Sequence, residues 1–192
     1  MRIIAGSLKG RKIPNVFDIK NVSPSSDFLK GVLFNVIGSD IKGRIFCDLY
    51  AGTGNVGFEA LSRGAAFCIF VETSPKLISI IIKLSKQFGI EEKVKIIKKD
   101  VLKAVEKGIL SEYKPDYIFI DPPYGTGLCE KTIKEIIKHP AGGIAGNDSG
   151  GGIIVQHDKR EILSAEYPPY KLINEKPHGK SVLSFYRAVL VI

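Results

Sequence analysis

The segment Asp121-Pro122-Pro123-Tyr124 sets a carboxylate, two imino acids and an aromatic ring directly after the apolar run Tyr117–Ile120. An exocyclic amine on a nucleobase is a poor nucleophile, because its lone pair is delocalised into the ring. The Asp121 carboxylate and the Pro122 carbonyl offer two acceptors for the two amine N–H bonds, which would localise that pair, on a backbone that Pro122 and Pro123 make stiff. Tyr124 adds a flat face on which an extruded base can stack, a contact worth roughly 1 to 3 kcal/mol. Prolines cannot continue a central ladder, so this tetrapeptide must open a loop at a strand end.

A second constellation is Asp48-Leu49-Tyr50-Ala51-Gly52-Thr53-Gly54-Asn55-Val56-Gly57, a G-x-G-x-x-G between an apolar run and an amphipathic one. Missing side chains there let a ligand approach the backbone. Taken alone, the pattern fits a plain strand-to-helix turn as well as a dinucleotide site. Asp48 bears on the choice, because an acid before the glycines repels a phosphate and favours a cation. S-adenosylmethionine carries a cationic sulfonium and no phosphate, so it suits the site better than a pyrophosphate. Ala51, Gly52, Thr53, Gly54 and Gly57 are then expected at the cofactor. Glu72, followed by Thr73, ends the next apolar run, where a carboxylate can accept both ribose hydroxyls. Asp100, followed by Val101, could hold the adenine amine, and helix capping explains an Asp there equally well.

These residues require strands ending at one edge of a sheet. From Arg44 the chain alternates short apolar runs with longer helical patterns: strands at 45–50, 67–71, 94–97, 117–120 and 153–155, and helices at 55–62, 128–138 and from Asp100 to about Leu110. Between Ser74 and Gly89 the signals agree at both ends, with Ser74 as cap, Pro75 in the first turn and Gly89 as terminator. Segments 170–173 and 182–192, joined through Pro177-His178-Gly179, read as an antiparallel pair. The expected fold is α/β, a doubly wound, seven-stranded, mostly parallel sheet that brings the glycine segment and the tetrapeptide together where its first and fourth strands adjoin. Adjacent strands lie only about 4.8 Å apart, so proximity would do much of the catalysis.

Before this core lie 42 residues that read as an N-terminal extension. The run from Arg2 to Pro14, with Lys9, Arg11 and Lys12, reads as a basic hairpin or arm suited to phosphate contacts. Ser25-Ser26-Asp27 supplies capping oxygens for a helix ending near Gly38. The glycine-rich stretch 141–152 reads as a mobile loop.

The chain has 192 residues, 44% hydrophobic and 25% charged, which fits one domain with one large core. A net charge of +8 favours a polyanionic partner, although solubility alone also explains it. Cys47, Cys68 and Cys129 lack C-x-x-C spacing and a nearby His or Asp cluster, so buried free thiols are expected and a metal is not. With no apolar run of signal-peptide or membrane-spanning length, a cytoplasmic monomer is expected.

With these residues assembled, the chain resembles the RsmD family of bacterial 16S ribosomal RNA guanine-N2 methyltransferases over nearly its whole length. The likeness lies in Arg2-Ile3-Ile4-Ala5-Gly6 with Lys9-Gly10-Arg11, in Ser26-Asp27 and Leu33-Phe34-Asn35, and in Asp48 to Ala65. It continues in Val71-Glu72, Asp121 to Tyr124 and Leu183-Ser184-Phe185-Tyr186. The resemblance implies a seven-stranded methyltransferase sheet, S-adenosylmethionine as donor, 16S RNA in the small ribosomal subunit as acceptor, and Asp121 to Tyr124 as the catalytic tetrapeptide. Departures leave the cofactor crevice intact and bear on the RNA grip: Ser23-Pro24-Ser25-Ser26-Asp27-Phe28-Leu29-Lys30-Gly31 keeps one of three basic positions, His178-Gly179 stands for Tyr-Gly, and Gln156-His157 for an acid-His pair. His157 reads as an ordinary strand-end residue. Three other readings compete: an amino-methyltransferase of DNA or another base, disfavoured by the lack of a target-recognition domain; a nicotinamide oxidoreductase, disfavoured by Asp48; and a catalytically silent ribosome-assembly binder.

Overall fold

A computed structural model describes residues 1–14, 27–139 and 151–189. Among these, β1 (Ile45–Leu49), β2 (Phe67–Glu72), β3 (Val94–Lys98), β4 (Tyr117–Ile120), β5 (Gly152–Asp158), β6 (Glu166–Tyr167), β7 (Tyr170–His178) and β8 (Ser181–Ala188) form one sheet in the order β3-β2-β1-β4-β5-β8-β7-β6. The first five strands run parallel, and β8, β7 and β6 continue the sheet antiparallel. The sheet thus has eight strands where seven were expected. The extra one, β6, is two residues long, too short to leave a hydrophobic pattern. β7 also runs further than expected, to His178. Its partner β6 covers only Tyr170 and Lys171, so most of β7 forms an edge where the missing N–H of Pro177 breaks no ladder.

Strand order reverses between β1 and β4, as the doubly wound reading requires. Helices α1 (Asp27–Ile37), α2 (Asn55–Ser62) and α3 (Pro75–Phe88) cover one face, and α4 (Val101–Glu106), α5 (Ile109–Tyr113) and α6 (Leu128–Lys138) the other. Alternation along the strands divides the two cores. Phe46, Cys68, Phe70, Tyr117 and Phe119 face α1 to α3, whereas Cys47, Ile69, Val71, Ile118 and Ile120 face α4 to α6. The three cysteines are buried and free.

Helix α3 has the caps its sequence dictates, the Ser74 side chain accepting from Leu77 N–H and Gly89 closing it in the left-handed region. The single helix expected after Asp100 is instead two, because Gly108 at φ +83° breaks it. Asp27 is the first residue of α1, while Ser25, Ser26 and the stretch 140–150 expected as a mobile loop lie outside the described residues, as does the end of the last expected strand. Gly152 belongs to β5 rather than to that loop.

The N-terminal arm is tied down by charge as well as by apolar burial. Arg2 bridges Lys12 antiparallel, and Ile3 and Ile13 enter the core beside α1. Glu59 of α2, fully buried, accepts from the N–H groups of Ile4 (2.8 Å) and Ala5 (3.1 Å) and pairs with Arg63. Lys30, the one basic position kept in the first helix, is itself buried. Its Nζ lies 3.8 Å from Glu59 and 3.3 Å from Asp27, and donates to Asn55 Oδ1 (2.8 Å) and to the Arg2 carbonyl. Burial lowers its pKa, against the pull of the Glu59 and Asp27 carboxylates. Removing one member of a buried ion pair strands the other, so Lys30→Met is expected to lose about 3 kcal/mol in urea unfolding. An unchanged midpoint would take Lys30 out of the knot.

Candidate active site

Helices following parallel strands start at the carboxyl edge of the sheet, and the glycine segment makes that turn between β1 and α2. Gly54, at φ +78°, is the N-cap of α2, and Gly57 sits where a Cβ would come within 2.3 Å of the Phe70 ring. Only glycine lets the helix pack this closely on β2. Gly52, at φ +58°, has no atom within 4 Å of the place a Cβ would occupy, so the loop's outer face is open.

Two carboxylates hold the loop from beneath and from the side. Asp48 is 2% exposed and accepts from Gly57 N–H (2.9 Å), while Glu72 Oε2 accepts from Gly52 N–H (2.9 Å). Oε1 of Glu72 accepts from Thr73 N–H (2.7 Å) and Ser74 N–H (2.9 Å), locking the end of β2. Burial holds the Asp48 carboxyl well above the usual carboxylate range; the Gly57 N–H opposes this, and the charges of Asp121 and Glu72 add to it. Asp48 therefore reaches the crevice through the loop it braces rather than by an exposed carboxylate. Thr53 is buried within the loop, and Tyr50, at φ +64°, turns the chain out of β1 with its hydroxyl bonded to Thr132 of α6 (2.8 Å).

Leu49 pairs with Ile120 across β1 and β4, so the next residues, Tyr50 and Asp121, leave the sheet side by side. The glycine segment and the tetrapeptide thus flank one crevice. Asp121 is partly exposed, Pro122 buried and Pro123 exposed. The Tyr124 hydroxyl bonds Ser181 Oγ (2.7 Å) and accepts from Gln156 Nε2 (3.4 Å), which fixes the ring; burial raises its pKa. Ser181 and Gln156 are site residues that motif reading missed, for their spacing to Tyr124 has no local period. His157 is buried between Ser184 Oγ (2.9 Å) and the Asp158 carbonyl, a strand residue as read.

Asp100 caps α4 by accepting from Lys103 N–H (3.1 Å), with Val101 buried behind it. The arm's cations are not brought together. Arg2 lies at the start of α1, 3.7 Å from Asp27, but the arm's turn at Ser7 bonds Ser62 at the end of α2, and Arg11 lies over the ring of Phe88 at the end of α3. Both helices begin at the crevice edge, so the turn carrying Lys9 lies at their far end, while Arg11 returns beside Ile3, whose N–H donates to its carbonyl (3.0 Å), with its guanidinium directed to Phe88. Lys12 stands beside Arg2. Among the described residues no cluster of His, Cys, Asp or Glu could hold a metal, and no helix is long and apolar enough to cross a membrane.

A family model described as Conserved hypothetical protein 95 matches residues 1–187. Ribosomal RNA small subunit methyltransferase D of Haemophilus influenzae is 33% identical over 69% of this chain and 68% of its own. The structure of yhhF from Escherichia coli superimposes with a TM-score of 0.77, at 26% identity, over 98% of this chain and 97% of that one. An RNA methyltransferase from Salinibacter ruber in complex with S-adenosyl-L-homocysteine shares the fold, with a TM-score of 0.64 at 13% identity over 88% of this chain and 95% of that one.

Because the folded state raises the pKa of Asp48, the stability this group contributes is complete at low pH and lost as pH rises toward the folded value. Asp48→Asn keeps an acceptor for Gly57 N–H without the charge. Its urea midpoint is expected to gain on wild type from about pH 4 to about pH 7. A variant that falls behind across that range would show that the loop needs the ionised carboxylate.

Proposed function

Since this chain belongs to the RsmD family, as the family match over residues 1–187 and the likeness to ribosomal RNA small subunit methyltransferase D together establish, we propose that it transfers a methyl group from S-adenosylmethionine to the exocyclic N2 amine of a guanine in 16S ribosomal RNA of the small subunit. The observation that carries this reading is the way the loop's donors are used. A phosphate at a glycine-rich turn needs unpaired backbone N–H groups. Here Gly52 and Gly57 already donate to Glu72 and Asp48, and Gly54 donates to the Ala51 carbonyl. A crevice flanked by Glu72 and Asp121, with Asp48 bracing the loop beneath it, suits a cation instead, and the open face of Gly52 leaves room for it beside the tetrapeptide.

S-adenosylmethionine, when bound, would supply an electrophilic methyl on a cationic sulfur that can leave with the C–S electron pair as the amine takes the methyl. Ala51, Gly52, Thr53 and Gly54 would line its binding face, Glu72 would accept from the ribose hydroxyls with Thr73 beside it, and Asp100 with Val101 would border the adenine. Asp121 and the Pro122 carbonyl accept the two amine N–H bonds, orient the lone pair and stabilise the positive charge that develops on nitrogen. The amine proton then leaves to Asp121 or to water, so no separate strong base is needed. Tyr124, held by Ser181 and Gln156, offers its face to the extruded guanine. Arg2, Lys9, Arg11 and Lys12 would contact RNA phosphates through the N-terminal arm, so binding should weaken steeply with salt.

The direct test is transfer of labelled methyl from S-adenosylmethionine to small subunits that lack the modification, with the product nucleotide mapped. Label on a guanine N2 is the expected outcome, and label on another base or on none would refute the assignment. Asp121→Ala is expected to lower turnover about a hundredfold while cofactor affinity stays near wild type, as for loss of a transition-state acceptor. Glu72→Ala should reverse that pattern, weakening the cofactor first; calorimetry showing wild-type affinity would remove Glu72 from the binding site.

A further inference from the structure

The carboxyl edge of the sheet extends beyond the crevice. Asp158, the last residue of β5, pairs with Ser181, the first of β8, and Ser181 pairs in turn with His178, the last of β7. Because β5 is parallel to β4, the β7–β8 turn at Gly179 and Lys180 stands on the same edge as Asp121. The Ser181 hydroxyl joins that turn directly to Tyr124 (2.7 Å).

On this turn the exposed His178 ring stacks on Phe28 of α1, with centroids 4.0 Å apart and planes 24° apart. Phe28 is 57% exposed, so the stack covers only part of its ring. A lone exposed apolar side chain requires no explanation. This one is ordered against a second ring, beside the site, in a setting of cations. Lys180 follows in the turn, its carbonyl accepting from Lys159 N–H (2.8 Å), and both lysines are exposed. On the other side, Arg2 is 71% exposed and pairs with Asp27, the neighbour of Phe28. An aromatic platform flanked by positive charge is the chemistry by which proteins hold unpaired nucleic acid, bases on rings and phosphates on cations.

Resting on the reading above, we infer that the Phe28–His178 stack is a base platform for a nucleotide next to the target guanine. One face of the pair takes a base of the unpaired RNA strand, and Arg2 and Lys180 take the phosphates on either side of it. Tyr124 then holds the extruded guanine while Phe28 and His178 hold its neighbour, so the strand is gripped at two successive positions. The exposed aromatic area is matched to a planar base, and the flanking cations select a polyanion over an apolar peptide.

The test uses the full chain with S-adenosylmethionine, small subunits lacking the methyl group, and a short single-stranded RNA containing 2-aminopurine. Phe28→Ala/His178→Ala is expected to raise KM for subunits about tenfold or more, while kcat at saturating subunits and cofactor affinity are unchanged. It should also weaken the oligonucleotide by a similar factor and abolish quenching of the 2-aminopurine. Phe28→Tyr, which keeps a ring, should restore both. Retained cofactor affinity shows that the variant is folded. An unchanged KM overturns the platform and leaves the methyltransferase reading standing. A raised KM with unaltered oligonucleotide binding overturns it in favour of a ribosomal-protein contact, and failure of the wild-type chain to label any subunit removes both.

Discussion

The site rests on two carboxylates turned toward backbone rather than toward solvent. Asp48 and Glu72 take the N–H groups of Gly57 and Gly52, so the glycine loop is held from both sides. This fixes the start of α2 over β2 and leaves the open face of Gly52 toward the crevice. The same bonds use two of the donors a phosphate could take, and Glu72 brings negative charge to the loop. One set of interactions therefore shapes the loop and sets the sign of the ligand it can hold. Asp48 bears the cost, since a buried carboxylate near Asp121 and Glu72 is pushed toward its protonated form.

Everything else reaches the crevice through the register of the sheet. Pairing of Leu49 with Ile120 brings Tyr50 and Asp121 out together, and pairing of Asp158 with Ser181 and then with His178 carries that edge out to the hairpin. The hairpin is thus a wall of the site as well as a sheet extension, with Ser181 and Gln156 gripping Tyr124. On the opposite flank, Lys30 joins Asp27, Glu59, Asn55 and the Arg2 carbonyl in one buried knot. Asn55 opens α2 directly after the glycine turn, so the arm and the loop share an anchor. A buried cation in that role is a structural tie.

The sequence by itself determined the parts whose causes are local. Proline after a buried strand, glycines that permit positive φ, the Ser74-Pro75 and Gly89 signals of α3 and the short apolar runs of β1, β2 and β4 act within a few residues, and each stands where it was read. Gly108 carried a local signal too, and its break in the helix after Asp100 was legible though unread. Tertiary structure decided what depends on distant partners. Whether Asp48 meets a ligand or a backbone amide is set by how α2 packs on β2. Whether Lys30 meets phosphate or Glu59 is set by how α1 packs beside α2, and the different directions of the Arg2 and Arg11 side chains by their partners Asp27 and Phe88. The same holds for the eighth strand, too short to carry a period, and for the meeting of Phe28 with His178, far apart in sequence and joined only when the first helix and the last hairpin close over one edge of the sheet.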